Sequence, residues 1–244
     1  MKRGFSYAIS TIAGLLFIVS LLFTTLQICI NDQNWFFLEY TKLDTARKMD
    51  MTTSDITASL KQLVDYMEGR EDSIQIRVDV NGRERKMFND REIKHMKDVK
   101  ALYQGWRLVR NVALPASALL FLLSASIMRR DALKVLSKGF LVACSIFTAI
   151  IAALGAWVAV DFNSFWIAFH RMFFDNDLWQ LDPDTSRMIR MCPEQLFYDI
   201  VLRFGGWFVL SILVLVAACV AYLVIRKRRR NTPLVVKDDK HDDV

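Results

Sequence analysis

Four long runs of apolar residues, each free of charged side chains, alternate with polar segments along this chain. The runs cover residues 5–30, 111–128, 139–160 and 204–225. A helix needs about 20 apolar residues, at ~1.5 Å each, to cross a hydrocarbon core of ~30 Å. The second run is the shortest, and we expect its helix to extend into the polar residues before it, with Arg107 and Arg110 at the level of the lipid headgroups. The pattern predicts an all-α membrane protein with four transmembrane helices.

Composition agrees with a membrane protein. Of the 244 residues, 53% are hydrophobic, which is too apolar for an ordinary soluble domain of this size. The first apolar run is far longer than the ~7–15 apolar residues of a secretory signal, so we expect it to remain as a membrane anchor.

Short polar flanks around the runs carry the signal for orientation. Basic residues are concentrated before the first run, at Lys2 and Arg3, in the link at 129–138, and after the fourth run at 226–230. Because lysine and arginine in short flanks stay on the cytoplasmic side of a membrane, both termini are predicted to be cytoplasmic. This topology accounts for the net charge of +6, so binding to nucleic acid is not expected.

The runs and flanks together predict the layout of the whole chain. In chain order it comprises a first transmembrane helix at 5–30, an extracytoplasmic cap at 31–104, a second transmembrane helix at 105–128, a cytoplasmic link at 129–138, a third transmembrane helix at 139–160, a second extracytoplasmic loop at 161–203, a fourth transmembrane helix at 204–225 and a cytoplasmic tail at 226–244.

The first outer segment has the pattern of a small α+β fold. Thr52 begins a capping pattern, and apolar residues then recur at helical spacing until Gly69. Ile74, Ile76, Val78 and Val80 alternate with polar residues. The dipeptide Asn81-Gly82 that follows favours a tight hairpin turn, because both turn positions need a positive φ, and the chain is expected to return through Phe88. Asn89 and Glu92 repeat the capping pattern and open a helix that we expect to lead into the second span.

The second outer segment is unusually rich in aromatic residues for a solvated loop. The aromatic residues around His170 are Phe165, Trp166, Phe169, Phe173 and Phe174. Aromatic side chains of this density are typical of a segment that lies in the membrane interface. Pro193 followed by Glu194 predicts the first turn of the helix that enters the fourth span.

Two histidines, His95 and His170, stand out as candidates for chemistry because each lies at the foot of one outer segment. Imidazole has an unperturbed pKa near 6.5 and therefore exchanges protons at neutral pH. From the residues alone, catalysis, a structural role and metal binding all remain open. Asp98 lies three residues after His95 and shares its helix face, although lysines surround both. No zinc-binding, nucleophile-elbow or phosphate-binding motif is present.

Short segments of the outer regions resemble the lipoprotein intramolecular transacylase family, known as Lit. The resembling segments are Glu92 to Lys100 around His95, Phe169 to Phe174 around His170, Asn176 to Trp179, Pro193-Glu194 and Tyr66 to Gly69. Their order and the four-span layout also agree with that family. The resemblance covers roughly Lys2 to Arg226.

Members of that family act at the outer face of the bacterial cytoplasmic membrane, mostly in low-GC Gram-positive species. They move the sn-2 acyl chain of a diacylglyceryl lipoprotein to the amino group of its own N-terminal cysteine, which gives the lyso form. The resemblance implies this reaction here, with diacylated lipoproteins as partners, His95 and His170 as the catalytic pair, and no metal or other cofactor. The chemistry agrees, because an α-amino group with a pKa near 8 must lose a proton before it attacks an ester.

Further residues are expected to assist the two histidines. Supporting roles fall to Glu92, Asp98 and Asp177, and substrate contacts to Arg107, Phe169, Phe173 and Trp179. For Arg107, anchoring at the membrane interface is the alternative role. Two other functions stay open: a metal-dependent membrane hydrolase that uses the histidines and a carboxylate as ligands, and a non-catalytic sensor or scaffold.

Overall fold

The computed structural model describes residues 2–231, and its helices form a bundle that carries a polar cap at one end. The helices are α1 (Lys2–Ile30), α2 (Gln33–Lys42), α3 (Thr45–Met49), α4 (Thr53–Glu68), α5 (Asp90–Met128), α6 (Ala132–Val160), α7 (Phe162–Phe173), α8 (Arg187–Met191) and α9 (Glu194–Asn231). Strands β1 (Arg77–Val80) and β2 (Arg83–Lys86) form a hairpin. The end of the predicted tail, including His241, lies outside the described residues.

Within residues 2–231, three helical stretches are long and apolar enough to cross a membrane: Lys2–Ile30, Asp90–Val160 and Glu194–Asn231. The middle stretch contains α5, a 3₁₀ turn at Arg129–Asp131 and α6. The chain is therefore an integral membrane protein by the length and composition of its helices. The count of three differs from the predicted four because α5 and α6 join through this turn with little interruption of helical backbone.

Helices α5 and α6 lie against α1 in opposite directions. Along α5, Trp106 stacks on Phe23 near the cap, whereas the Ser124 hydroxyl donates to the carbonyl of Ser6 at the other end of the bundle. Along α6, the order is reversed, because Gly139 lies beside Ser10. The chain thus turns back on itself at Arg129–Asp131.

Small residues permit the close approach of these helices. A Cβ added at Gly139 would lie 2.9 Å from the carbonyl carbon of Ser10, so only glycine fits there. The Ser117 hydroxyl, buried between α5 and α1, donates to the carbonyl of Ala13 at 2.8 Å. Close packing and interhelical hydrogen bonds therefore hold α1, α5 and α6 together.

The structure of the cap confirms the helix ends and the turn that were predicted for the first outer segment. Thr52 caps α4, and Gly69 ends it with a φ of 79°. Asn81 and Gly82 have φ values of 54° and 73°, as the hairpin turn requires. Helix α5 runs without a break from the cap into the second apolar run, as expected, although Pro115 lies inside it. Helices α2 and α3 were not predicted, because their short segments lack a clear apolar period.

A buried carboxylate connects the cap to the bundle. Glu68, at the end of α4, accepts hydrogen bonds at Oε1 from Gln27 of α1 at 3.0 Å and from the hydroxyl of Tyr103 of α5 at 2.9 Å. Arg70 forms an ion pair with its other oxygen. The cap is thereby held over the end of α1 and against the middle turns of α5, so the first turns of α5 belong to the cap.

Candidate active site

His95 is held by the first turns of α5. The helix begins with a reciprocal capping box, in which Asn89 Oδ1 accepts from the Glu92 amide at 3.0 Å and Glu92 Oε2 accepts from the Asn89 amide at 2.6 Å. This capping box gives hydrogen-bond partners to two backbone N–H groups that the first turn of a helix otherwise leaves without one. The capping box therefore fixes the residue at which α5 begins, and with it the position of His95, one turn after Glu92.

Glu92 also ties this turn to the second loop. Its carboxylate is fully buried, and Oε1 accepts from the hydroxyl of Ser186 at 2.5 Å and from the amide of Met188 at 2.8 Å. Glu92 therefore joins α5 to α8, and both of its carboxylate oxygens accept hydrogen bonds from neighbouring groups.

His170 lies near the end of α7 among aromatic rings. Its ring centroid is 4.4 Å from that of Trp166, 5.5 Å from that of Phe169 and 4.7 Å from that of Trp179. The Nδ1 atom lies 2.8 Å from the carbonyl oxygen of Trp166. Part of the aromatic run therefore lies around this histidine, whereas Phe173 packs on Phe169 at 4.9 Å and is exposed.

The two histidines meet at Phe174. The Phe174 ring centroid is 5.5 Å from that of His95 and 5.6 Å from that of His170. Both imidazoles are buried, with exposed fractions of 9% for His95 and 6% for His170. The fold thus brings together two titratable groups that are 75 positions apart in the chain.

Burial keeps both imidazoles neutral. Loss of water around His95 lowers its pKa to about 4, and His170 and Arg91 add to this effect while Asp98 opposes it. Burial also lowers the pKa of His170, against the opposing effect of the hydrogen bond with Trp166. Since neutral imidazole has one N–H donor and one acceptor nitrogen, each ring can donate one hydrogen bond and accept another.

The hydrogen bond of His170 determines its tautomer. A carbonyl oxygen only accepts, so the nitrogen facing Trp166, which is Nδ1, carries the single proton of the neutral ring. The lone pair is then on Nε2. His95 differs, because its Nδ1 atom is buried without a hydrogen-bond partner among the described residues.

Two of the carboxylates expected to assist the histidines lie on either side of one contact: Asp98 is on α5, and Asp177 is in the loop that follows α7. Asp98 Oδ2 accepts from Asn176 Nδ2 at 2.9 Å. The carbonyl of Asp177 accepts from Arg91, and its carboxylate lies 3.5 Å from the same guanidinium. Asp98 therefore influences His95 through its charge, and its hydrogen bond goes to the loop.

Arg107 lies at a different level of the protein. It is twelve residues after His95 on one helix, which corresponds to roughly 18 Å along the axis. Its guanidinium donates to the carbonyl of Glu68 at 2.8 Å. The structure thus separates Arg107 from the histidines and places it in the junction between cap and bundle.

Several partners in this site could not be found from the sequence. Arg91, Asn176 and Ser186 act through contacts between segments 86, 78 and 94 positions apart, respectively. Asn176 lies in a segment that carries the family resemblance, which is the one sequence signal among the three. Within residues 2–231 no group of three or more histidine, cysteine, aspartate or glutamate side chains is placed to hold a metal ion.

These features define an integral membrane protein whose two buried histidines lie on the cap side of the junction between cap and bundle. A model of the family "Lipoprotein intramolecular transacylase Lit" matches residues 11–197. The chain belongs to this family and is a transacylase, that is, a membrane acyltransferase. A search among curated protein sequences found no match.

Solved structures share the fold. The membrane integral lipoprotein intramolecular transacylase Lit from Bacillus cereus matches with a TM-score of 0.71 at 20% identity, covering 93% of this chain and 99% of that chain. A variant of the same enzyme, in which arginine replaces one histidine, has a TM-score of 0.71 at 17% identity, covering 93% of this chain and 95% of that chain. A second variant, in which alanine replaces the same histidine, has a TM-score of 0.70 at 17% identity, covering 93% of this chain and 96% of that chain.

Proposed function

We propose that this transacylase moves the sn-2 acyl chain of a diacylglyceryl lipoprotein to the α-amino group of the same lipoprotein's N-terminal cysteine, with His95 and His170 as the catalytic pair. The carrying observation is the contact of both buried imidazoles with Phe174. Membership in the transacylase family supports the substrate class. Because donor and acceptor belong to one molecule, the site mainly has to bring them together, which alone is worth up to roughly 7–11 kcal/mol.

In this proposal His170 is the general base. The neutral amine attacks the sn-2 ester carbonyl, and Nε2 of His170 takes the proton that the nitrogen loses as the C–N bond forms. The C–O bond to glycerol then breaks, and the same proton returns to the glyceryl oxygen. One acyl group and one proton thus exchange places, and no atom is gained or lost.

We derive the role of His95 from its Nδ1 atom, which has no hydrogen-bond partner in the described part of the chain. A buried polar atom without a partner is costly in the free enzyme, and a bound substrate would relieve that cost at Nδ1 of His95. We assign His95 to hold the polar atoms of the ester as charge develops on the carbonyl oxygen. The aromatic rings beside His170 would contact the acyl chains of the substrate and exclude water; they include Phe169, Phe173 and Trp179.

We further propose that α5 and α6 each cross the membrane, giving four spans with both termini in the cytoplasm and the cap outside. The reversal of the chain at Arg129–Asp131 supports this arrangement, and so do the basic flanks. At the turn, Asp131 pairs with Arg3 of α1 and with Arg226 of α9, so three of the polar flanks meet at one end of the bundle.

Reporter fusions test this topology. Reporters placed after Val244 and within the 129–138 link should be active only in their cytoplasmic form, and a reporter inserted at Gly82 of the hairpin only in its external form. An external signal from the fusion after Val244 would overturn the orientation and the compartment assigned to the reaction.

The reaction is tested by expressing the protein with a diacylated lipoprotein in a host that lacks N-acylated lipoproteins. Intact-mass measurement should show no change in lipoprotein mass, because acyl migration conserves all atoms. Fragmentation should then locate one acyl group on the N-terminal amine and one on the glyceryl moiety. Release of a free fatty acid would instead define a hydrolase, and an unchanged fragmentation pattern would contradict transacylation.

A further inference from the structure

The loop that follows α7 crosses α5 beside His95, and we call residues 174–179 the strap. It begins with Phe174, whose ring contacts both histidines, and ends with Trp179, which stacks on His170. Phe174 is itself buried, with 8% of its surface exposed. The strap therefore supplies much of the apolar surface that separates the two imidazoles from water.

Two polar contacts fasten the strap to α5, and they lie on either side of His95. Four residues before His95, Arg91 donates to the carbonyl of Asp177. Three residues after His95, Asp98 accepts from the Asn176 side chain at 2.9 Å. Residues three and four positions apart share one helix face, so both attachments and His95 face the strap together.

The Asp98 contact is the more specific attachment. Arg91 donates to a backbone carbonyl, which any residue at position 177 would offer. The bond at Asp98 joins two side chains, an amide donor and a carboxylate acceptor, and depends on both identities. Asp98 is partly exposed and Asn176 exposed, so the bond closes the outer edge of the strap.

We infer that Asn176 and Asp98 are positioning residues for the transacylase: their hydrogen bond holds the strap over His95 and His170 and keeps water from the reacting groups. The expected effect on catalysis rests on the proposed function. The exclusion of water from the two imidazoles rests on the geometry alone. It also assigns Asp98 a role different from a direct partner of the His95 ring.

A double-mutant cycle tests the pairing. Asn176→Asp places two carboxylates against each other, and the rate of acyl transfer should fall about tenfold or more, since like charges at this distance repel. Asp98→Asn keeps an acceptor oxygen for Asn176 but loses the negative charge, so the rate should fall by less than in Asn176→Asp. Combining Asp98→Asn with Asn176→Asp reverses donor and acceptor and should restore the rate to within about threefold of the wild type.

A matched control uses the same chemical change elsewhere. Asn163 is exposed on α7, so Asn163→Asp adds one negative charge without facing Asp98. Its rate should equal that of the wild type. A loss in this control as large as that of Asn176→Asp would overturn the specific role of the strap, and so would a double variant no faster than Asn176→Asp alone.

The pKa of His95 provides a second test of the strap, and this test needs no substrate. The charged and titratable groups acting on His95 are His170 of α7 and, on its own helix, Arg91 and Asp98. Asn176→Ala changes none of these charges. It should loosen the strap and admit water, which stabilises the imidazolium and raises the pKa of His95 from about 4 toward 6.5.

Nuclear magnetic resonance titration of histidine-labelled protein in detergent measures this shift, with His95→Gln to assign the signal. An upward shift of one unit or more in Asn176→Ala supports the strap, even where the wild type shows no acyl transfer and the proposed function fails. An unchanged pKa in Asn176→Ala overturns the strap, even where the wild type is fully active. The titration therefore distinguishes failure of the strap inference from failure of the proposed function.

Discussion

Replacing His170 by alanine should reduce the rate of acyl transfer by about 10²-fold or more, the scale of a general acid–base group. His170→Asn is the sharper variant. An asparagine amide can still donate to the carbonyl of Trp166, as Nδ1 does now, but it has no atom equivalent to Nε2. If Nε2 is the base, His170→Asn should be as inactive as His170→Ala while its thermal unfolding temperature stays close to that of the wild type.

The measurement is the fraction of lipoprotein with an N-acylated cysteine, followed over time by fragmentation mass spectrometry. His95→Ala should also lose about 10²-fold or more, since it removes the second imidazole. His241→Ala, in the acidic tail, should leave the rate unchanged. Full activity in His170→Asn would show that Nε2 is not the base, and full activity in both alanine variants would remove the histidine pair from the mechanism.

Glu92→Ala should destabilise the protein by roughly 3 kcal/mol. The substitution removes the buried acceptor of the Ser186 hydroxyl and the Met188 amide, and each buried donor left unpaired costs about 1–3 kcal/mol. It also removes half of the capping box at the start of α5. The prediction is checked by thermal and chemical unfolding of the purified protein in detergent, followed by circular dichroism.

Glu194→Ala is the matched control, because Glu194 is an exposed glutamate in the first turn of α9. Its unfolding free energy should stay within about 0.5 kcal/mol of the wild type. Glu92→Gln should be intermediate, since its amide keeps one acceptor oxygen and turns an N–H₂ group toward donors. Equal stability of Glu92→Ala and Glu194→Ala would contradict the structural role of Glu92.

Local sequence patterns were sufficient where neighbouring residues decide the structure. The apolar runs predicted the spanning helices, the Asn81-Gly82 dipeptide predicted the hairpin, and the Asn89 and Glu92 pattern predicted the start of α5. Each of these depends on contacts within a few residues, such as a capping bond or a turn with positive φ. The count of candidate spans differed, because a 3₁₀ turn joins α5 to α6 almost without interruption.

The candidate site was predictable only in part. The two histidines and the aromatic run were visible as residue types, and the family resemblance selected His95 and His170 from the alternatives. The sequence did not reveal that Glu92 bonds to α8, that Asp98 bonds to Asn176, or that Arg107 lies in the junction with Glu68. These contacts join segments 39 to 96 positions apart, and no local period or motif encodes them.

The sequence by itself therefore determined the class of protein, the helices and the pair of imidazoles available for chemistry, because hydrophobic length, capping and residue type are local properties. Only the tertiary structure decided how those imidazoles behave. Packing of α7 and the strap against α5 buries both rings, lowers the pKa of each and leaves Nδ1 of His95 without a hydrogen-bond partner within residues 2–231. Burial depends on what the rest of the chain places around a group, and that is settled when the cap closes over the bundle.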